Sequence, residues 1–431
     1  MATNAFRRAR LAVAVALSLL AAVPVFAEPQ PLSLQQAVAA ALTNNPELVS
    51  LRTEAGVFDA AAVRAGVIPN PTLELEAATG ALTGSSDDSN LSLGISQEFL
   101  LGDKRLKRRA VAERDLAAYR WQVADRERVV KELVQAAFCD VILARERVGL
   151  AHHSIDLNKQ LLQVAVDRLA AGDIPELEMY LVRVELVRSE GNLIELQRSL
   201  LDSRAKLFAL MALPPTESPV LSGDLNGNDV RVKTLGDLKQ VAMQSRPDLK
   251  ALHAAMQKSD AEVTLAEAEG VPNLTAGIAL SRDTSSMEIG GVEGRETAYT
   301  IGLKLSMPIP VFDRNQAGQQ EARAKRSSAE VRLQGAAASV EREVESAHAS
   351  IANADKVLSL YRSDILRQLD ENLKLTQEAY RLGEVGILAV IEEQKKYFEV
   401  SDSYLAALHA RLLAFNKLES AVAADNNGGA Q

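Results

Sequence analysis

The 431-residue sequence has one cysteine, five histidines and few aromatic residues. A single thiol excludes a disulfide framework and any zinc or iron–sulfur site that needs several cysteines. Phe, Trp and Tyr together make up 4% of the residues, which is thin for several independent globular cores. A formal net charge of −9 argues against a nucleic-acid-binding surface, because such a surface needs clustered positive charge.

The sequence also lacks the patterns of a catalytic or metal site. It shows no nucleophile–base pair and no phosphate-binding glycine loop. His152 and His153 are adjacent, so on a helix they point about 100° apart and do not readily share a metal ion. The other histidines are isolated, and no His-x-x-x-His motif or methionine cluster occurs. We therefore expect no enzyme, no catalytic residue, no cofactor and no resident metal ion.

The N-terminus has the pattern of a secretory signal peptide. Arg7, Arg8 and Arg10 precede an apolar run at 11–22 that is too short to span a bilayer. We predict that residues 1–27 are removed. No cysteine follows the apolar run, so an acyl-lipid anchor has no attachment point there. Nothing after residue 27 offers 18 consecutive apolar residues, so any membrane contact needs another kind of element.

The chain contains an internal repeat. Four motifs recur in the same order, at an offset that grows from 201 to 211 residues. The paired segments are 45–48 with 246–249, 68–71 with 271–274, 103–105 with 313–315, and 168–174 with 381–385. We predict a first repeat at 28–211, a linker at 212–234 rich in Pro, Gly, Asn and Asp, a second repeat at 235–422 and a flexible tail at 423–431. Each repeat would hold a helix, a strand hairpin and a long helical hairpin.

Each repeat carries a long heptad pattern. Apolar residues step by four and three through Val130, Val134, Ala137, Val141, Ala144, Val148, Ala151 and Ile155. The same register returns 210 residues later, at 340–365. Sustained 4-3 spacing predicts a coiled-coil seam, and the polar residues that continue each seam, Asn158 and Gln368, are interpreted as register-setting positions. The proline-free segment 103–170 would extend about 100 Å as one helix. Segments 176–211 and 388–422 predict shorter returning helices.

Two segments with alternating apolar and polar residues precede each rod. The apolar positions are Leu73, Leu75 and Ala77; Leu91, Leu93 and Ile95; Leu274, Ala276, Ile278 and Leu280; and Tyr299, Ile301, Leu303, Leu305 and Met307. This period predicts strands of about nine or ten residues with one apolar face, long enough to cross a bilayer at a tilt. Exposed loops are predicted at 80–89 and 283–296. Since a membrane sheet has to close and the smallest barrels have eight strands, four strands per chain would require several chains to share one barrel. Two hairpins packed in a soluble sandwich are the alternative.

Together these features resemble the TolC-type outer membrane efflux factors, in particular the cobalt–zinc–cadmium (CzcC-like) heavy-metal branch. The motifs that carry the resemblance are Asn45-Pro46-Glu47-Leu48, Pro69-Asn70-Pro71 and Gly102-Asp103-Lys104-Arg105, where Asp103 replaces the second glycine of the branch. The resemblance implies a mainly α fold with membrane β structure. Three chains would form one 12-stranded outer-membrane β-barrel, with four strands per chain, continued by a long α-helical coiled-coil barrel in the periplasm.

The resemblance also implies a function. The protein would be the outer membrane channel of a tripartite resistance–nodulation–division efflux system of a Gram-negative bacterium, exporting divalent heavy-metal cations. Its partners would be two further copies of itself, a periplasmic adaptor (membrane fusion protein), a proton-driven inner-membrane pump and outer membrane lipid, with no nucleic acid. Two alternatives stay open: a drug or organic-solute channel of the same fold, and a trimeric coiled-coil adhesin or scaffold with a membrane anchor.

The resemblance places the candidate sites at the periplasmic tip. Residues matching the adaptor-contact turns of the family are Gly172, Asp173, Gly383, Glu384, Val385 and Gly386. The constriction acids of the family lie one or two turns later, and the matching aperture candidates are Glu176, Glu178, Glu392 and Glu393. Rings of carboxylates favour cations, although a solvated helix face explains the same glutamates. A basic run at 104–109 is interpreted as a solvated helix start, with lipid phosphates as the alternative contact, and Cys139 as a small packed residue.

Overall fold

The computed structural model describes residues 31–82, 87–214, 219–226, 233–290, 292–362 and 364–423. The first repeat holds α1 (Leu34–Asn44), α2 (Pro46–Ala65), β1 (Thr72–Thr79), β2 (Ser89–Phe99), α3 (Lys104–Ala171) and α4 (Glu176–Leu210). The second holds α5 (Leu235–Ser245), α6 (Pro247–Glu269), β3 (Leu274–Ile289), β4 (Val292–Ser306), α7 (Gln316–Arg362), α8 (Ile365–Arg381) and α9 (Ile387–Val422). The same order of elements in both halves confirms the duplication. The predicted signal peptide and all but the first residue of the predicted tail lie outside the described residues, and the repeat and linker boundaries stay predictions.

The repeated Asn-Pro motif starts a helix. The Asn45 side chain accepts hydrogen bonds from the backbone of Glu47 (3.1 Å) and Leu48 (3.3 Å), while Pro46 occupies the first turn of α2. Proline suits that position because the first amides of a helix have no partner within it. The amide nitrogen of Asn45 also donates to the Leu210 carbonyl at 3.0 Å. The motif therefore caps α2 and ties it to the end of α4.

Helix α3 is the predicted rod. It runs unbroken for 68 residues, which is about 100 Å, and the predicted seam residues Val130, Val134, Val141, Ala151 and Ile155 are buried. Its sides are covered by α2 and α6 near the sheet and by α4 and α9 farther away. The helices thus form one elongated layer rather than globular domains. Across the described part of the chain, no helix is both long enough and apolar enough to cross a membrane.

The second rod is interrupted, contrary to the prediction of one continuous seam. Helix α7 ends at Arg362, and α8 starts after Asp364, whose φ of 47° is left-handed. At this seam position the first rod has Ala151, whereas the second has Tyr361, whose ring packs against that of Tyr404 (centroids 6.1 Å apart). An aromatic side chain this large prevents the close approach that alanine allows, so the helix breaks and restarts.

The break shifts the seam by one residue and makes the Gln368 prediction wrong. Before the break, seam residues of the two rods differ by 210, whereas Gly172 and Gly383 at the rod ends differ by 211. The inward face therefore resumes at Leu366, Leu369 and Leu373, and Gln368 is exposed. Asn158 in the first rod is buried, as a register-setting residue should be. Its counterpart in the second rod is Leu369.

All four strands form one antiparallel sheet in chain order. The pairing aligns Leu73, Ile95, Ile278 and Leu303 in a row across one face, and Glu74, Gly94, Ala279 and Gly302 in a row across the other. The apolar row is exposed on every strand. The sheet therefore presents one apolar and one polar face, as the alternation predicts.

Strands β3 and β4 are longer than predicted, with 16 and 15 residues. Most of the predicted loop at 283–296 continues the ladder, because its polar side chains pair across the strands. The Thr284 and Thr297 hydroxyls lie 3.3 Å apart, and the backbone amide of Ser286 donates to Asp88 at 2.7 Å. This hairpin thus extends well past the apolar part of the sheet.

Lys104 anchors the sheet to the helices, so its interpretation as part of a solvated helix start is wrong. The side chain is 3% exposed, and its Nζ donates to Asn273 Oδ1 at 2.7 Å and lies 3.6 Å from Glu269. Asn273 in turn donates to Glu98 at 2.7 Å. Because desolvated charges need such partners, this network fixes the start of α3 against the start of β3. Arg108 adds an ion pair to Glu269 at 2.7 Å.

Cys139 is a buried, packed residue, as predicted. Its sulfur accepts from the Asn416 amide at 3.6 Å. Burial raises the pKa of the thiol to about 11. The thiol therefore stays protonated and unreactive at neutral pH.

Arg246, the counterpart of Asn45, closes the C-terminal end of α9. Its guanidinium is bidentate to Asp248 (3.0 and 2.7 Å) and donates to Glu343 (2.8 Å) and to the Ala421 carbonyl (3.0 Å). Burial alone would raise the pKa of the Asp248 carboxyl. The hydrogen bonds and the positive charge of Arg246 outweigh this effect, so the pKa lies below its ordinary value of 3.8. The pair is therefore ionised at neutral pH and satisfies a helix carbonyl that has no partner within α9.

We predict that Arg246→Ala lowers the free energy of unfolding by about 2–3 kcal/mol, because it leaves the half-buried Asp248 carboxylate and a helix carbonyl unpaired. Thermal unfolding in detergent, followed by circular dichroism, measures the loss. The matched control is Arg367→Ala, since Arg367 pairs with Asp364 and Glu371 at 3.2 Å on an exposed surface. That change should cost less than about 1 kcal/mol. Equal losses from both variants would contradict the role assigned to Arg246.

Candidate functional site at the tip of the helical hairpins

Two turns of the same construction lie at one end of the helical layer. Gly172 and Gly383 have φ of 79° and 82°, the left-handed region that glycine enters without strain. In each turn the next amide reaches back five residues: Asp173 to the Arg168 carbonyl and Glu384 to the Ala379 carbonyl, both at 2.9 Å. These bonds satisfy the last carbonyls of α3 and α8 in the Schellman arrangement. The predicted tip turns are therefore equivalent local structures.

A small apolar core joins the two hairpins at this end. After the acidic residue, each turn has an aliphatic residue, Ile174 or Val385, that packs into it. The other buried members come from all four helices at the tip, namely Leu161 and Ala165 from α3, Met179 and Val182 from α4, Tyr380 from α8, and Ile387, Val390 and Ile391 from α9. The tip of one copy is thus a single packed unit.

Arg168, Tyr380 and Glu178 connect the two hairpins through polar contacts. Arg168 donates to the Tyr380 carbonyl at 2.7 Å and places its guanidinium 4.8 Å from the centre of the Tyr380 ring. The Tyr380 hydroxyl donates to Glu178 at 3.4 Å. The three side chains come from α3, α8 and the first turn of α4, so they hold the second hairpin to both helices of the first.

The Tyr380 hydroxyl remains a hydrogen-bond donor at neutral pH. Burial raises its pKa above 10, and the charge of Glu178 raises it further, while Arg168 has the opposite and smaller effect. Tyr380 is fully buried, so loss of its partner would leave a buried hydroxyl unsatisfied. The contact is therefore sensitive to any movement of α4 against α8.

The four predicted aperture glutamates have different surroundings. Glu178 is half-buried and bonded to Tyr380, and Glu393 pairs with Lys396 at 2.7 Å. Glu176 and Glu392 are exposed. Within one copy the glutamates do not converge, and no group of three His, Cys, Asp or Glu side chains in the described residues could hold a metal ion. Their role as an aperture stays a prediction.

Arg168 and Tyr380 are missing from the predicted site. A signal existed for Arg168, because it begins one of the repeated motifs. Tyr380 gave a weaker one: it lies just before the matching motif, as a large polar-tipped residue on an inward helix face. Its contact with Glu178 joins residues about 200 positions apart, which no local pattern reveals.

An apolar-faced sheet continued by a helical layer about 100 Å long defines a subunit of a membrane channel with a long helical extension. The chain belongs to the outer membrane efflux protein family, whose model matches residues 37–213 and 238–424, one match in each repeat. Members of this family are channels of the Gram-negative outer membrane that catalyse no reaction, and the chain is such a channel.

Several characterised relatives are similar over most of the chain. The cobalt-zinc-cadmium resistance protein CzcC of Cupriavidus metallidurans is 27% identical over 90% of this chain and 89% of its own. The pyoverdine export outer membrane protein OpmQ of Pseudomonas putida is 22% identical over 82% of this chain and 74% of its own. The nickel-cobalt-cadmium resistance protein NccC of Alcaligenes xylosoxydans xylosoxydans is 25% identical over 77% and 72%.

Solved structures share the fold. The CusC channel superimposes with a TM-score of 0.75 at 17% identity, covering 90% of this chain and 91% of the other. The open-state MtrE outer membrane channel of Neisseria gonorrhoeae gives 0.72 at 19% identity, covering 90% and 88%. The predicted family and fold are therefore confirmed.

We predict that Tyr380→Phe loosens the tip while leaving its apolar core intact. Loss of the hydroxyl contact to Glu178 should cost about 1 kcal/mol, which corresponds to about fivefold faster local opening. Hydrogen exchange of the Gly383 and Glu384 amides, which bond to the Tyr380 and Ala379 carbonyls, reports that opening. Tyr397→Phe on α9 is the control. Unchanged exchange in Tyr380→Phe would show that the hydroxyl contact does not hold the hairpins together.

Proposed function

We propose that three copies of the chain form one continuous duct that exports divalent heavy-metal cations across the outer membrane. The observation that carries the proposal is that, in the part of the chain that the structure describes, the sheet and the helical layer both end in edges without a neighbouring element, on the same two sides of the molecule. Repeat 1 supplies one side with β1 and α4, and repeat 2 supplies the other with β4, α7 and α8.

Helix α4 has a second apolar seam that no described residue covers. One face packs on α3 through residues such as Val182, which is buried. The exposed apolar residues on the opposite face are Leu177, Tyr180, Val184, Val187, Ile194 and Leu201. Their spacing follows the 4-3 rule, with Gly191 and Arg198 at the two intervening positions. A helix with two seams fits a closed ring, where every helix has two neighbours.

The opposite side has matching exposed residues. Val357 and Leu360 on α7, Leu375 on α8 and Leu382 just after it are exposed and apolar. Among the described residues, β1 pairs with β2 alone, and β4 with β3 alone. Because open strand edges cannot be satisfied in hydrocarbon, head-to-tail addition of further copies has to close the ring. The family resemblance gives the number three, and hence twelve strands.

The cargo is inferred from relatives and from charge. CzcC and NccC, by their names, confer resistance to divalent metals, which favours metal cations. OpmQ exports pyoverdine, which makes an organic solute the rival cargo. Threefold repetition of the exposed Glu176 and Glu392 would ring the narrow end of the duct with carboxylates, an arrangement that attracts cations.

The tip turns are the proposed contact with the adaptor and, through it, with a proton-driven inner-membrane pump. Gly172, Asp173, Gly383 and Glu384 are exposed at the end of the layer, away from the sheet. Beside them, Val385 and Gly386 complete the second turn. In this scheme the Arg168–Tyr380–Glu178 contacts hold the aperture narrow until the adaptor engages.

We predict that Val187→Asp converts the trimer to single chains in mild detergent, because ring closure would bury an unpaired carboxylate in the α4 seam. Mass photometry of the purified protein measures the change. The control is Ser199→Asp, which adds the same charge at an exposed position on α4 outside both seams. A Val187→Asp trimer as stable as the unmodified one would contradict the proposed closure.

For the cargo, we predict that deleting the gene lowers tolerance to cobalt, zinc and cadmium, and that the unmodified gene restores it. In planar bilayers, Glu392→Gln should reduce the preference for cations over anions, measured as a shift of the reversal potential in a salt gradient. Glu393→Gln is the matched control, since Lys396 already offsets the Glu393 charge. Unchanged metal tolerance, with sensitivity to an organic solute instead, would favour the rival cargo. Identical selectivity in both variants would remove Glu392 from the aperture.

A further inference from the structure

The repeat relates every strand of the first half to one of the second by a fixed offset. Within the first hairpin Leu73 pairs with Ile95, and within the second Ala276 pairs with Leu305. The repeated motifs set the offsets: 68–71 matches 271–274 with a difference of 203 before β1 and β3, and Asp103 matches Asp313 with a difference of 210 after β2 and β4. Adding 203 to Leu73 and 210 to Ile95 gives Ala276 and Leu305, which are paired in the second hairpin, so the strand pairing agrees with the sum of the two offsets. The seams of α3 and α7 also differ by 210 up to the break, so the correspondence continues from strand into helix.

The contact between β2 and β3 provides a template for the contact that the chain leaves open. Inside the chain, β2 of the first repeat pairs with β3 of the second, and Ile95 lies opposite Ile278. In a head-to-tail ring, β4 of one copy meets β1 of the next copy. Since β4 is the counterpart of β2, and β1 is the counterpart of β3, this contact is equivalent to the contact between β2 and β3. Applying the two offsets converts the pair Ile95–Ile278 into Leu305 opposite Leu75 of the next copy.

We infer that β4 of one copy pairs antiparallel with β1 of the next copy in the register that sets Leu305 opposite Leu75 and Lys304 opposite Glu76. The inference rests on the proposed ring and adds its residue-level register. A shift by one residue would turn the exposed apolar face of β1 to the polar side of the sheet. Shifts by two residues keep the apolar and polar faces, and the repeat offsets select among them.

Charge complementarity excludes part of the alternatives. A shift by two residues in one direction would set Lys304 opposite Ala78, whereas the shift in the other direction would set it opposite Glu74, so the repeat offsets decide between Glu74 and Glu76. Lys304 and Glu76 both lie on the polar face, and the inferred register places them directly opposite each other, where unlike charges stabilise a strand pair. Inside one copy, Lys304 Nζ lies 3.7 Å from Glu74, which precedes Glu76 by two residues on β1. Glu76 has no ion pair within the described residues. The partner copy therefore supplies the cation that Glu76 lacks.

The same two offsets also make a prediction for the junction between the strands and the helices. Inside the chain, Gly102 lies so close to Val271 that an added Cβ would be 3.3 Å from the Val271 Cβ. The offsets convert this pair into Phe312 of one copy against Ile68 of the next. Phe312 is 94% exposed and Ile68 60% exposed in the single chain, which leaves both apolar surfaces uncovered. The inferred contact between copies would bury both side chains, at the position equivalent to the Gly102–Val271 contact inside one copy.

Cysteine pairs test the register directly in the full-length protein carrying Cys139→Ala. Residues directly opposite on neighbouring strands have Cβ atoms about 5 Å apart, and diagonal pairs about 7–8 Å, whereas a disulfide needs about 4 Å. We expect Leu305→Cys with Leu75→Cys to yield covalent dimers and trimers on oxidation with copper phenanthroline. Leu303→Cys with Leu75→Cys, two residues out of register on the same face, should remain mostly single chains on denaturing gels.

A charge exchange gives a readout that does not depend on oxidation. Lys304→Glu and Glu76→Lys should each lower the temperature at which the detergent-resistant trimer dissociates, because each sets like charges opposite one another. Combining both changes should restore it in part, because the contact of Lys304 with Glu74 inside one copy stays broken. Preferential cross-linking of the out-of-register pair, or no recovery in the double variant, would overturn the register while the trimer stands. Absence of any trimer in the unmodified protein would instead overturn the proposed function.

Discussion

The constraint on which the structure depends is that backbone amides and carbonyls at a strand edge need partners wherever water is absent. The described part of one chain supplies four strands, and within it β1 and β4 each have one edge without a strand partner. The helical layer has the same incompleteness, because α4 has an uncovered apolar seam on its outer face. In the proposed ring, further copies complete both layers, and because the chain is internally duplicated, one kind of contact would serve inside and between chains.

Much of the fold follows from sequence because its signals are periodic and long. Period two predicts the sheet and its apolar face, and unbroken 4-3 spacing predicts α3 almost to the residue. The predictions were wrong where a single residue interrupts the 4-3 spacing. Tyr361 replaces a seam alanine, the helix restarts after Asp364, and the predicted polar seam residue Gln368 lies on the surface. A composition-based reading also missed that Lys104 is buried, since its partners come from the other repeat.

The candidate site was predictable only as far as its local geometry. Glycines at the two turns predict helix ends in the left-handed conformation, and both turns have the expected hydrogen bonds. The contacts that hold the hairpins together come from Arg168, Tyr380 and Glu178, which three-dimensional packing alone brings together. Among the predicted glutamates, the structure separates Glu178 and Glu393, which have partners, from the exposed Glu176 and Glu392. In the proposed aperture, the exposed pair would therefore be the glutamates that attract cations.

The offset between the repeats records where they have diverged. It rises from 203 between β1 and β3 to 210 between β2 and β4, so seven residues were gained or lost inside the hairpin, and β3 and β4 are the longer pair. It rises by one more at the break in the second rod, which rotates α8 relative to α7. Neither change falls on a contact between repeats in the sheet or at its junction with α3. A ring of such chains would therefore alternate short and long hairpins at its outer rim, above strands that pair with the same repeat offsets inside and between chains.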